Sequence, residues 1–460
     1  MLRFINSNKP PHQNFWCGGK ILLVFLAIFA ASLIYSFSFR YVPIVDAGAY
    51  DEIAWNLAQG FGYRESLEGE LSGDHAIIRA GPGYEFFLAG LYKVFGHRYS
   101  IVWIIQSFLH SLSAFLVFLL AKNILSHEKK EIIATSAMAF YGFFPDMIVS
   151  ASMLLTETLA IFLLLLSVYI FLKNMDKTGQ PSVSAIVLLG MFVPFLVLVR
   201  SQLGLIILPF LVFWILKKRW FHIIIFFILF ILVLTPWSLR NYFLHGKFIP
   251  TAVLFGNNLA MGNHPGATGE QLDTLYVPLE ELFKDRDYIK GDKSALDMAF
   301  NFVEENPLEF IKITSQRISV YFSFARPTGF WPNFSALNKI ITIIFSSFYS
   351  FLIFVLGITG IWFGIKNRNR GLFFKEKLLY ILFIAALMPI SVIFIVVETR
   401  YRYPIYPFLA IFSGFSFYWL IKKRREVLSS FLYSLLLISG NAAFDIARNF
   451  SRIISKIHNL

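Results

Sequence analysis

The sequence predicts an all-α polytopic membrane protein with about 10–12 transmembrane helices and two large outside loops. Three observations predict it. Hydrophobic residues fill 57% of the 460 positions and charged residues only 15%, against about 45–50% and about 25% in a soluble domain. Apolar runs recur from end to end, and helices spanning a bilayer satisfy their own backbone groups. The basic residues gather in short clusters between those runs, the arrangement that orients membrane helices. A soluble globular enzyme and a disordered chain are both excluded.

Each element follows from these patterns. The run at 21–39 is preceded by Lys9 and Lys20. It is longer than the roughly 7–15 residues of a signal-peptide core, so it reads as an uncleaved first span with a cytoplasmic N-terminus. Later runs lie at 101–121, 132–150, 159–172, 184–199, 203–216, 221–234, 340–365, 378–397 and 404–421. With the N-terminus inside, Lys122/Lys129/Lys130, Lys173/Lys177, Lys217–Arg219, Lys366/Arg368/Arg370/Lys375/Lys377 and Lys422–Arg425 all fall inside. The net charge of +13 therefore reflects topology in an inner or plasma membrane, and no nucleic-acid partner is expected. The single cysteine, Cys17, permits no internal disulfide.

Two hydrophilic stretches, 40–100 and 237–339, fall outside. They divide the chain into a membrane module at 1–236 with its outside loop 40–100, an outside loop at 237–339, and a membrane part with an interfacial tail at 340–460. In the first loop a helix is expected from Asp46 to Gly60, with a second amphipathic piece at 84–95. The second loop holds an Asn/Gly-rich segment at 256–265 and two helices, 295–305 and 308–322, split by Pro307. In the tail, the apolar stretch 427–438 is short for a span and is expected to lie in the interface or re-enter.

Nucleotide chemistry has no support here. The chain contains no Gly-x-x-x-x-Gly-Lys-Ser/Thr loop, and Gly60-Phe61-Gly62 opens no βαβ unit. There is no His-Glu-x-x-His and no cysteine pair for zinc. Any reaction is left to the outside face and to a substrate within or across the membrane.

The polar residues at the outside boundaries are the candidates. Asp46 could take a proton from an acceptor hydroxyl, or cap the helix that follows it. Glu157 begins an apolar run, where a carboxylate faces a cavity or a partner unless it sits in an exposed turn; Asp146 is a second acid in the same region. Arg240, Arg400 and Arg402, joined by Arg79, Arg200 and Arg317, offer donor forks for an anionic headgroup, or anchor an aromatic belt. His264 could bind a metal or be only a polar loop residue.

At these residues the sequence resembles a family. Asp46-Ala-Gly-Ala-Tyr50-Asp51, Gln59-Gly60-Phe61-Gly62-Tyr63 and Arg79-Ala-Gly-Pro-Gly-Tyr84 are similar to the first outside loop of GT-C glycosyltransferases, nearest the protein O-mannosyltransferase and lipid A aminoarabinose transferase branch. Leu155-Thr156-Glu157, Thr235–Tyr242, Gly246–Pro250, Gly262–Pro265 and Glu398–Arg402 are similar to later segments of that branch. The resemblance implies a sugar moved from a polyprenyl-phosphate donor to a cell-envelope acceptor on the outer face. It points to Asp46 and Glu157 for catalysis; together with the boundary-arginine argument, the expected substrate-binding residues are Asp51, Arg79, Tyr84, Arg240, Arg317, Arg400 and Arg402. Where the family often has Asp-Glu, this chain has Asp46-Ala47. No cofactor is certain; a divalent metal is compatible. The competing reading is a lipid-linked glycan transporter or flippase, for which repeated halves and midplane charges are expected; the sequence shows no repeat.

Overall fold

Helices build nearly all of the structure. The computed structural model describes residues 11–79, 81–175, 182–270, 281–326 and 336–450; Lys9, Ala80, Lys177 and the end of the tail, 451–460, lie outside them. Among the described residues the only β pairing is two isolated bridges, Leu125 with Phe373 and Glu270 with Val397. The helices are α1 (Pro11–Phe39), α2 (Asp46–Gln59), α3 (Pro82–Phe95), α4 (Tyr99–Ile124), α5 (Lys130–Gly142), α6 (Pro145–Ser152), α7 (Thr156–Met175), α8 (Val183–Val199), α9 (Ile207–Leu216), α10 (Trp220–His245), α11 (Phe255–Gly262), α12 (Tyr288–Glu305), α13 (Pro307–Tyr321), α14 (Ala336–Lys366), α15 (Lys375–Ile393), α16 (Tyr406–Lys422) and α17 (Arg424–Arg448).

Eight described helices are long and apolar enough to cross a membrane, nine when the bent pair α5–α6 counts as one. The shorter apolar helices α8 and α9 complete the bundle. The run expected as one span at 132–150 is thus broken, with a bend of 54° between its halves. Pro145 causes the break. A proline disfavours the helical region for the residue before it, and Phe144 is extended at φ −68°, ψ 119°. At the centre stands α16, apolar on every side and packed against α14, α5 and α17. Its window is 78% buried, against 17% for α1 and 22% for α10, so those two helices face lipid.

The connections separate into two ends. At one end Leu125 pairs with Phe373, Lys217 meets Glu376 at 2.8 Å, Arg370 bonds Glu426, and His127 lies edge-on to Trp419. These are the short basic loops grouped from charge alone. At the other end lie the two long loops with Asp46, Arg79, Glu157, Arg200, Arg240 and Arg400.

The tail is a correction. The helix does not stop at 438; α17 runs 25 residues, from the basic end to the long-loop end. Two polar groups of its last turns are held by other parts of the protein. Asn441 donates to the Ser319 carbonyl at 3.0 Å, and Asp445 pairs with Arg326 at 2.7 Å. The helix thus continues past its apolar stretch and is long and apolar enough to cross a membrane. The Asn/Gly-rich segment also becomes regular, as α11, where Ala260 packs on Ala295 and Ala299 of α12.

Candidate active site

The site grows from the start of α2. Gly60 ends that helix in the left-handed conformation, as its composition implied. Val45, just before the helix, sits at φ 53°. A β-branched residue there is strained by about 1–3 kcal/mol. The strain turns the chain so that Asp46 begins the helix with its side chain turned away from the amides of the first turn. Its carboxylate meets two guanidiniums instead: Arg400 Nη2 donates to Oδ2 at 2.8 Å, and Arg79 Nη1 lies 3.9 Å from Oδ1. The helix-cap reading of Asp46 is replaced by an ion pair.

Both arginines have a second carboxylate. Arg400 Nε donates to Glu398 at 2.7 Å. Arg79 grips Glu65 with Nε at 2.9 Å and Nη2 at 2.6 Å. Burial pushes the Glu65 carboxyl up, but hydrogen bonds from His75 and Arg79 outweigh it and hold it at about 2. The result is an alternating line, Glu65–Arg79–Asp46–Arg400–Glu398, at the mouth of the bundle.

A second ion pair lies beside it. Arg200 Nη1 donates to Glu157 Oε1 at 2.6 Å, and Glu157 is 1% exposed. The Arg200 and Arg400 guanidiniums lie 5.5 and 5.8 Å from the Tyr401 ring, so Tyr401 links the two pairs. Arg200 follows α8 directly, and α3 docks there because Gly83 has no side chain: a Cβ would lie 2.8 Å from the Val199 amide nitrogen. This gives the Gly-Pro-Gly-Tyr segment a physical reason.

The other expected residues are placed differently. Asp51 is buried and accepts from Tyr92, His97 and Tyr99 at 2.5, 2.8 and 2.6 Å; it pins α2 to α3 and α4. Tyr84 is buried and donates to Gln106, whose amide holds the carbonyls of Ala151 and Met153 ahead of Glu157. Arg317 is fully buried on the Ile393 and Gly262 carbonyls and the Asn263 side chain, and burial lowers it to about 10. A Cβ on Gly262 would sit 1.9 Å from the Ile395 carbonyl, so only glycine permits that contact. Arg402, 1% exposed, bonds the carbonyls of Ser323 and Arg326. Arg317 and Arg402 thus brace the long loop against the 393–402 segment and are not brought to Asp46. Asp146 is fully buried beneath the bend between α5 and α6.

Arg240 is half-buried, lies over the Tyr63 and Trp237 rings, and donates to the Tyr63 carbonyl at 3.0 Å. Among the described residues no carboxylate lies within ion-pair distance of it. Its Nη1 also donates to the Asn241 side chain at 2.9 Å, so its partners are neutral.

His264 borders a cavity of about 620 Å³ with Asp297 and Glu305. Among the described residues no three His, Cys, Asp or Glu side chains gather to hold a metal ion. Sequence reasoning missed Glu65 and Gln106, which have no motif or period of their own; Tyr401 lay within the Glu398–Arg402 segment but was given no role.

Against known proteins, the sequence matches the family described as dolichyl-phosphate-mannose-protein mannosyltransferase over residues 74–239, less than half of the chain. That stretch holds Arg79, Glu157 and Arg200. The fold superposes on the archaeal oligosaccharyltransferase AglB from Archaeoglobus fulgidus, solved with an inhibitory peptide and a dolichol-phosphate, at TM-score 0.53 and 13% identity, covering 95% of this chain and 56% of that one. The apo form of the Archaeoglobus fulgidus oligosaccharyltransferase gives 0.53 and 14%, with coverages of 95% and 56%. The chain carries the GT-C fold. ArnT from Cupriavidus metallidurans bound to undecaprenyl phosphate is also similar, at TM-score 0.48 and 12% identity, with coverages of 91% and 63%. The chain spans less than two thirds of the length of these structures. A comparison with curated proteins finds no match.

Proposed function

We propose that this protein is a membrane glycosyltransferase that moves a sugar from a polyprenyl-phosphate donor to a hydroxyl-bearing cell-envelope acceptor, with Asp46 as the base. One observation carries the reading: a carboxylate at the mouth of a GT-C bundle, held between two arginines. The family description and the dolichol-phosphate in AglB support a lipid-phosphate donor.

The chemistry follows from that placement. The acceptor oxygen attacks the anomeric carbon and its proton passes to Asp46. The bond from that carbon to the lipid phosphate breaks, and the polyprenyl phosphate leaves with the electron pair. Direct displacement inverts the anomeric centre. Negative charge grows on the phosphate oxygens, and the Arg79 and Arg400 guanidiniums, whose forks hold Glu65, Glu398 and Asp46, stabilise it through their charge, while Arg240 anchors the phosphate from the aromatic rim. Glu157 acts through Arg200, which holds Tyr401 and the Arg400 turn in place. The site face is the outer face in this reading, and the basic loops are cytoplasmic.

The test is reconstitution of the purified chain with a polyprenyl-phosphate sugar and a membrane-lipid acceptor extract. Release of polyprenyl phosphate coupled to acceptor modification is expected. Release of neither product from a folded protein rejects the reading.

A further inference from the structure

The last helix carries a buried carboxylate that the proposed chemistry does not use. Asp445, 1% exposed, accepts from Arg326 Nε at 2.7 Å and from Nη2 at 2.8 Å. Arg326 Nη1 donates to Glu270 at 2.8 Å. All three guanidinium nitrogens are therefore committed to two carboxylates from distant parts of the chain. Such a forked pair fixes orientation as well as distance.

Two ties lead from Arg326 to the turn that bears Arg400. Glu270 forms a parallel bridge with Val397, the residue before Glu398. The Arg326 carbonyl accepts from Arg402, two residues beyond Arg400. Arg326 thus holds both ends of 397–402, and Asp445 holds Arg326. One helical turn earlier, Asn441 fastens α17 to α13 through the Ser319 carbonyl.

We propose that Asp445 is a positioning residue for sugar transfer: through Arg326 it orients the turn on which Arg400 meets Asp46. The proposal rests on the glycosyltransferase reading. It gives α17 a role that its sequence, an apolar stretch with a polar end, does not announce. The donor's phosphate anchor, Arg240, lies on α10 and is not part of this linkage. Loss of Asp445 therefore acts on turnover and spares donor binding.

Asp445→Asn removes the charge and half of the fork's acceptors. In the reconstituted assay its kcat should fall about 10–10²-fold, the cost of a misplacement of about 1 Å, while the KM for donor stays within about twofold. Asp445→Glu, which restores the carboxylate, should recover most of the loss. If Asp445→Asn does not fold, Arg326→Lys keeps the charge and loses the fork, and the same split is expected of it. Wild-type kcat in a folded Asp445→Asn or Arg326→Lys, or a rise in donor KM alone, overturns the proposal. An inactive wild type rejects the transferase reading and the proposal with it; an active wild type beside an unaffected variant rejects the proposal alone.

Discussion

Arg400 donates a hydrogen bond to Asp46 at 2.8 Å, although 354 positions separate them in sequence. That contact joins the first loop to the last turn on the same face and closes the mouth of the bundle. It also divides the arginines by work. Arg79 and Arg400 flank Asp46, Arg200 supports them through Tyr401, and Arg317 and Arg402 brace the backbone.

This division is measurable. Arg240→Ala should raise the donor KM about tenfold or more, the loss of one charge-assisted hydrogen bond to phosphate. Arg402→Lys should leave the donor KM unchanged and lower the unfolding temperature, because its fork holds two carbonyls in a buried site. Titration of donor in the transfer assay, beside thermal unfolding in detergent, separates the two. The opposite pattern assigns the phosphate to Arg402.

The Glu157–Arg200 pair is buried on both sides. Glu157→Gln leaves an unpaired guanidinium and should cost about 3–5 kcal/mol. Replacing both, as Glu157→Leu with Arg200→Met, should cost less than Glu157→Gln alone. Denaturation of the three proteins in one detergent decides it; a double variant less stable than Glu157→Gln contradicts the buried-pair account.

Glu85 is buried under Tyr63, which donates to it at 3.2 Å, and burial pushes its carboxyl up to about 8. The folded protein therefore keeps this proton where the unfolded chain, ionising near 4.3, has lost it. Stability linked to Glu85 is complete below about pH 4 and declines as pH rises towards about 8. Glu85→Gln should remove that decline. Unfolding followed from pH 5 to 9 in both proteins is the check, and parallel curves rule it out.

The α17 correction also has a direct test. In a Cys17→Ser background, single cysteines at Ser66, Glu304 and Phe450 should react with an impermeant thiol reagent added outside intact cells, and one at Ser126 should not. Labelling of Ser66 without Phe450 returns the tail to the basic face.

Much of this architecture was legible because membrane passes depend on composition and basic-loop sidedness, both of which survive without tertiary knowledge. Asp46 stood out as a boundary carboxylate, but its spacing fitted a helix cap equally well, and only the fold sets it between Arg79 and Arg400. The arginines were not separable. Arg317 and Arg402 look like boundary arginines locally, and only the fold shows them buried on carbonyls. Glu65 was invisible because its partner is reached through a loop of irregular turns. Asp445 was hidden for a related reason: a lone acid ending an apolar helix reads as an interfacial end until Arg326 is placed beside it.

The central claim is that Asp46 takes the acceptor's proton, and Asp46→Asn tests it most directly. Asparagine keeps the size and still accepts a hydrogen bond from Arg400. The measurement is single-turnover sugar transfer from a polyprenyl-phosphate donor by reconstituted wild type and Asp46→Asn, with donor binding and unfolding temperature recorded on the same preparations. The account expects transfer about 10²–10⁴-fold slower with donor bound as before. Transfer at the wild-type rate by a folded Asp46→Asn would contradict it.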